Sequence, residues 1–314
     1  MNKKSGAVAR LVIWGAVALL LTAVLVLFLT NRGQSLLRGM TGQNGFGSGD
    51  AGIRFGTGYS YSDSGDYQLP ARTGSTAVQD IESVEIHWIS GSVSVQGGDQ
   101  QDVTFSEDYS GAEKYRLHYR AKDGKLIIQP CASEGFLESL VNGLPDKALT
   151  VTVPRALAGA VEIDAVSADV DAGGFKADSF SAETASGGVT LQDVGAGSME
   201  FETVSGGLRG SGVTADTLDA ETTSGGAELD GRFGGLELTT VSGELRFTCA
   251  EAPRALNADT TSGDVTLYLP KGSSFRLDWD TVSGDLDNEF GSGGSAEYSV
   301  DTVSGNLTLR SAGR

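Results

Sequence analysis

A serine followed by a small residue, nearly always glycine, returns through the second half of this chain at Ser167, Ser186, Ser205, Ser224, Ser242, Ser262, Ser283 and Ser304. The steps between them are 19, 19, 19, 18, 20, 21 and 21 residues. A unit of about 20 residues is too short to bury its own apolar side chains and becomes stable only by stacking on its neighbours. Aligned on the serine, the residues six before (Val161 through Tyr298) and four before (Ile163 through Val300) can all pack in a core. Those three after run from Val170 to Leu307, and those five after from Ala172 to Leu309, with Gly210 and Asn288 as exceptions. Apolar residues two apart with polar ones between are the strand period.

Each repeat therefore reads as two short strands joined at a Ser-Gly bend, with glycine supplying the backbone freedom of a tight corner. Spacing never changes from six before to five after the serine, so every length difference falls between repeats, as in YLPKGSSFR. Stacked coils behave in this way. The expected fold is all-β: a parallel β-solenoid of about eight or more coils over residues 156–314. At the ~4.8 Å strand spacing, eight coils make a rod of about 38 Å.

Two polar columns qualify this picture. Two before the serine stand Ala165 and then seven threonines, from Thr184 to Thr302. Parity points them inward, where a hydroxyl stack could pass hydrogen bonds from coil to coil. Three before stand Asp164, Glu183, Glu202, Glu221, Thr239, Asp259, Asp280 and Asp301, and parity points these outward. Stacked like charges need solvent, salt or a cation between them. Glu183, Glu202, Glu221, Asp259, Asp280 and Asp301 are thus the candidate acidic face. It reads either as a weak site for a hard cation or polycation or as a solvated face that blocks lateral association. No GGxGxD calcium-loop signature occurs.

The N-terminal part differs. Residues 11–30, LVIWGAVALLLTAVLVLFLT, carry no charge and span about 30 Å as a helix, the thickness of a bilayer core. They read as one transmembrane helix behind a short cytoplasmic tail, residues 1–10, with the bulk extracytoplasmic; a cleaved signal peptide would be shorter and end in a small-x-small site. Residues 31–78, rich in Gly and Ser, read as a disordered linker. Residues 79–155 read as a β-rich capping block. Within it Ser90-Gly91 resembles an early corner, Asp123-Gly124 a hairpin turn, and SEGFLESLVNG a short helix or loop. The last coil, Leu307–Leu309, has little more than SAGR to close it, so it reads as a frayed end or a partner's docking edge.

Charge and composition bound the chemistry. With 23 Lys and Arg against 41 Asp and Glu the chain carries −18, which disfavours nucleic acid. Only two cysteines are present, Cys131 and Cys249, which could pair or stand as two small buried hydrophobes. The two histidines, His87 and His118, lie in strand-like stretches outside the repeats, so a histidine-based catalytic site has no home there. No enzyme activity, cofactor or resident metal is expected. The expected role is a membrane-anchored, adhesin-like, noncatalytic rod that presents an acidic surface to an envelope polymer or partner protein. The alternatives are an accessory or sensor subunit of a membrane regulatory system and a carbohydrate-active β-helix enzyme working through carboxylates. Oligomeric state is left open.

The segment LTVTVPRALAGAVEIDAVSADVDAG, followed by ETASGGVTL, ETVSGGLRG, ETTSGGAEL, DTTSGDVTL, DTVSGDLDN and DTVSGNLTL, resembles a bacterial β-strand-repeat family of unknown function regarded as a candidate adhesin. The resemblance covers residues 79–312 and implies a strand block, a "v.vP" lead-in and repeated SGD-type turns. Ala168 stands where the family has the corner glycine, and Gly188, Gly207 and Gly226 stand where it has Asp. The resemblance implies surface interaction and supplies no site residues.

Overall fold

A computed structural model of the chain describes residues 53–54, 60–61, 67–70, 76–131 and 145–313. The expected membrane span, most of the linker and the SEGFLESLVNG segment lie outside the described residues. Among those described, no helix is long and apolar enough to cross a membrane. Apart from one 3-10 turn at Glu113–Tyr115, every regular element among them is a strand, and twenty-one strands join in one mixed sheet.

The repeat columns become ladders. Val161 lies beside Phe180, Phe180 beside Met199, Met199 beside Leu218 and Leu218 beside Leu236, all in parallel pairing. After the corner, Val170 lies beside Val189 and Val189 beside Leu208. The apolar columns face one continuous interior, where Leu229, Leu267 and Leu309 are 1%, 0% and 0% exposed. Each layer buries its apolar side chains only because the next layer covers them.

The block before residue 156 adds layers of its own. Ser83–Trp88 and Gly91–Gly98 run parallel to Ala160–Ala165 and Asp169–Gly173, with Ser90-Gly91 at the corner. Lys125–Gln129 and Lys147–Pro154 form the layer beneath. Beyond that layer the pairing turns antiparallel. His118–Lys122 folds back on Lys125–Gln129 through Asp123-Gly124, whose φ angles of 53° and 76° suit a two-residue hairpin. Val103–Asp108 adds to Lys147–Pro154, and Thr76–Val78, which composition alone places in the linker, adds to Val103–Asp108. These antiparallel strands cover the first end of the stack. Lys147 stitches the region together. Its buried ammonium donates to Glu107 at 3.1 Å, to the Tyr115 carbonyl at 2.7 Å and to the Pro130 carbonyl, and sits 4.6 Å from the Trp88 ring.

Stacking order departs from chain order at both ends. The first strand pair of the sheet in sequence, 83–98, is the second layer, and 125–154 lies outside it. At the other end Ala255–Thr260 pairs with Ala296–Thr302, and Phe275–Thr281 pairs with the far side of Ala296–Thr302. Likewise Val265–Leu269 pairs with Leu307–Ser311, which pairs with Leu286–Asn288. The chain oversteps by one layer and then returns to fill the gap. The two longest repeats, 21 residues each, are the ones that make these moves, and the loops at 270–274 and 289–295 give the reach. Leu307–Leu309 is therefore an interior layer rather than the expected edge. The outermost layer is 275–288.

The corners explain the Ser-Gly signature, and correct one reason for it. No corner glycine from Gly187 onward adopts a positive φ. Glycine stands there because a Cβ would meet the next layer's backbone: 1.9 Å from the Gly187 carbonyl oxygen at Gly206, and 1.7 Å from that of Gly206 at Gly225. Ser205 and Ser224 each donate both N–H and Oγ–H to one carbonyl of the preceding layer, those of Ala185 and Val204. The threonines two before point inward as parity predicts, but their bonds are mostly local. Thr203 Oγ1 accepts from Gly206 N at 2.8 Å, and Thr184, Thr222, Thr240, Thr281 and Thr302 repeat this. Thr260 and Thr302 alone, among the described threonines of this column, join hydroxyl to hydroxyl, at 2.9 Å. Each corner thus satisfies its own backbone and clamps its neighbour.

Candidate functional site

The strand before the corner carries the acidic face. Registered pairing sets one column in the spatial order His87, Asp164, Glu183, Glu202, Glu221, Thr239, Asp259, Asp301 and Asp280. Because of the changed layer order, Asp301 stands between Asp259 and Asp280. Thr239 separates the glutamate trio from the aspartate trio. A second column, two residues earlier, holds Glu85, Glu162, Glu200, Asp219, Glu237 and Asp278. Layers lie about 4.8 Å apart, so the two columns form a ladder of carboxylates with polar breaks. Along it runs a groove of about 870 Å³, lined in part by Glu200, Asp219, Glu237, Asn257, Arg276 and Asp278.

The ladder is neutralised at one end. His87, 6% exposed, lies between Asp164 (Nδ1 to Oδ2, 2.9 Å) and Glu85 (Nε2 to Oε1, 2.6 Å). Lys125 also pairs with Glu85. Burial raises the Glu85 pKa, but the bonds to His87 and Lys125 outweigh it and hold the carboxyl down at about 2. Burial opposes the His87 charge, yet the bonds to Asp164 and Glu85 prevail and raise its pKa. Further along, among the described residues, no ion pair reaches Glu183, Glu202, Asp219 or Glu221. Half-burial first, and neighbouring carboxylates second, push Glu183 up to about 7 and Asp219 up to about 6; Glu202 and Glu221 are raised for the same reasons. Asp219 Oδ1 is buried without a hydrogen-bond partner. Carboxylates so placed resist ionising together, and hold protons or gather cations more readily than isolated ones.

Among the described residues, no group of three or more His, Cys, Asp or Glu side chains is placed to hold a metal ion. Cys131 and Cys249 are both buried and form no bridge, so they stand as the small hydrophobes of the two readings. Burial pushes the Cys249 thiol up to about 12. His118 Nδ1 lies 3.1 Å from the Arg116 carbonyl, away from the ladder. The His87 end is the part of the face that the serine repeats do not reveal. Taking Ser90 as a corner serine would have placed His87 in the carboxylate column, three residues before it.

The protein-family model described as Toastrack DUF4097 matches residues 81–310. No curated protein matches the chain. Three solved structures are similar over most of its length. A candidate lipid-binding protein from Parabacteroides distasonis is 14% identical, with 79% of this chain and 96% of that one covered and a TM-score of 0.45. A candidate adhesin from Bacteroides fragilis is 13% identical, covering 77% and 99%, with a TM-score of 0.47. A candidate cell-adhesion protein from Clostridium sporogenes is 13% identical, covering 76% and 98%, with a TM-score of 0.24. The family match takes in nearly all of the layered sheet and both of its reordered ends, and on that match the chain belongs to the Toastrack DUF4097 family.

Proposed function

We propose that this chain is a noncatalytic, membrane-anchored, adhesin-like module whose acidic face binds a polycationic partner. In this reading residues 11–30 cross the bilayer with residues 1–10 in the cytoplasm, residues 31 onward form a stalk, and a rigid parallel β-solenoid displays the ladder outside the cell. The observation that carries it is the run Glu183, Glu202, Glu221 with Asp219 beside it, held at strand spacing and without an ion pair among the described residues. A face of one charge sign over low-dielectric strands focuses its field and raises the local concentration of oppositely charged groups. A basic polymer or a lysine-rich protein segment lying along the groove would neutralise several layers at once.

The test uses the full chain in nanodiscs of zwitterionic lipid, with polylysine as the probe. Binding should weaken steeply between about 50 mM and 500 mM salt, as expected where screening acts on exposed charges. The triple substitution Glu183→Gln, Glu202→Gln, Glu221→Gln should weaken it at low salt. Equal binding by the triple variant would refute the assignment. A second reading, glycoside hydrolysis, is favoured by the register that sets Glu183 beside Glu202, where burial and then the neighbouring carboxylate push Glu183 up to about 7. Release of reducing ends from envelope polysaccharide, abolished by Glu183→Gln, would establish it in place of the first.

A further inference from the structure

The groove of about 870 Å³ lies on the outer side of the strands that lead into the corners, and its chemistry changes along its length. It crosses six layers, from the strand of Ser198 to that of Arg276, so at ~4.8 Å a step it is about 24 Å long. Its first three layers set Glu200, Asp219 and Glu237 in register. Among the described residues no ion pair reaches any of the three, and Asp219 Oδ1 is closed off from solvent without a hydrogen-bond partner. Ser198 and Thr217, two residues before Glu200 and Asp219, present hydroxyls beside them. The layers beyond turn neutral: Asn257 follows Glu237 in the same column, and Ser299 follows Asn257. Here the groove widens, because Gly235 and Ala255 stand beside Glu237 and Asn257. A Cβ at Gly235 would meet nothing nearer than 4.0 Å, so the space is open. At the far end Arg276 pairs with Glu297.

This sequence of charge, hydroxyl and open space selects among cationic ligands. A peptide strand must satisfy its own N–H and C=O groups, and the groove offers it no strand edge. Each strand beneath the first four layers is already paired on both sides. A sugar chain carries hydroxyls instead, which the side chains of Ser198, Thr217, Asn257 and Ser299 can meet. An extended β-linked hexosamine chain advances by close to one strand spacing per sugar, so each layer faces one sugar. Ammonium-bearing sugars suit the layers of Glu200, Asp219 and Glu237. An acetamido group needs room for its methyl and partners for its carbonyl and N–H. Gly235 and Ala255 give the room, and the Asn257 amide both donates and accepts.

We propose that the groove binds a linear, partly N-acetylated amino-sugar polymer, with free ammonium groups against Glu200, Asp219 and Glu237 and an acetamido group over Gly235, Ala255 and Asn257. This rests on the polycation reading above and names the partner for it.

Calorimetry on the full chain in nanodiscs of zwitterionic lipid tests this, with polylysine and three β-linked glucosamine hexamers as probes: fully, half and not N-acetylated. The half-acetylated hexamer should bind about tenfold tighter than the fully acetylated one and about threefold tighter than the fully deacetylated one. Asp219→Asn with Glu237→Gln should weaken the half-acetylated hexamer about tenfold. Gly235→Phe, which fills the open space from a backbone without positive φ, should abolish hexamer binding without lowering the melting temperature. Asn257→Asp should turn the preference toward the fully deacetylated hexamer. Polylysine binding without hexamer binding would overturn this proposal and leave the polycation reading standing. Failure of polylysine on the parent chain would count against that reading, and failure of polylysine and hexamers together would overturn both. Equal binding of the half-acetylated and fully deacetylated hexamers, or hexamer binding indifferent to Gly235→Phe and Asn257→Asp, would reduce the groove to unselective charge and overturn the proposal.

Discussion

Replacing Gly206 by alanine sets a methyl carbon 1.9 Å from the Gly187 carbonyl oxygen and 2.8 Å from Thr203 Oγ1. Neither neighbour can yield cheaply. The carbonyl belongs to the corner of the adjoining layer, and Thr203 Oγ1 is held by the Gly206 N–H at 2.8 Å. Relief must come from parting two layers whose register is fixed on both sides. Overpacking a tight site costs roughly 1–3 kcal/mol, and a backbone obstacle on this scale belongs at the upper end, about 3 kcal/mol. For a fold of this size that lowers the melting temperature by roughly 6–12 °C. The adjacent residue is the control. A Cβ at Gly207 has as its nearest neighbour the Gly226 carbonyl oxygen at 3.7 Å, ordinary contact, and Gly207 has no positive φ. Gly207→Ala should therefore stabilise by about 0.4–1 kcal/mol through the unfolded chain, a rise of roughly 1–4 °C. Thermal melts of the two purified variants followed by circular dichroism decide the matter. Equal shifts for both, or a Gly206→Ala variant that melts with the parent, would refute the view that close approach of layers, not backbone angle, demands the corner glycine.

Acidity should stabilise this protein down to a limit. Glu183 and Asp219 have folded pKa values above their unfolded ones, so their contribution is full at acid pH and is lost as pH rises through about 7 and about 6. His87, also raised, acts in the same direction. Glu85, held at about 2, acts the opposite way and loses its contribution below the normal carboxylate range. Discounted for the half-exposure of both carboxyls, Glu183 and Asp219 together supply about 1–2 kcal/mol. The melting temperature should peak near about pH 5 and fall toward pH 8, and Glu202→Gln should flatten that fall; a maximum above pH 7 would contradict the account. Both thiols should resist Ellman's reagent in the native protein and react once it is unfolded, since Cys131 and Cys249 are 0% and 1% exposed; a fast native thiol would place one of them at the surface. Leu267→Ala should cost about 2–5 kcal/mol in urea unfolding, whereas Val282→Ala, at a position 79% exposed, should stay within about 0.5 kcal/mol of the parent.

Period and parity made most of this architecture readable from the residues. Leu229, Leu267 and Leu309 recur in one column, and one column of side chains on one strand face can only be buried together. The acidic face followed from the same parity. Layer order did not, because the columns that identify a coil are nearly identical in every coil, and the buried bond from the Tyr298 hydroxyl to the Pro253 carbonyl, which accompanies the placing of Tyr298 beside Leu256, joins residues 45 apart. The extra layers at 83–98 and 125–154 lack the V/T-S-G signature, so they read as a cap although two of their strand pairs continue the parallel stack. The place of His87 beside Asp164, at the end of the acidic column, is hidden for the same reason. The corner glycine illustrates a different limit. Gly91 does turn through a positive φ, 94°, whereas Gly206 and Gly225 are glycine because of a neighbour some 19 residues away, which local sequence cannot display.

The stack in register, with its last two layers exchanged, is tested most directly by paired cysteines. Thr266 and Thr308 lie side by side on adjacent layers, and Thr308 lies beside Asp287. Thr266→Cys with Thr308→Cys should therefore bridge on mild oxidation. Thr266→Cys with Asp287→Cys, two layers apart at about 9.6 Å, should not. Bridging of 266 to 287 in preference to 308 would mean that the coils simply follow chain order, and bridging of neither would mean that the coils do not stack in this register at all.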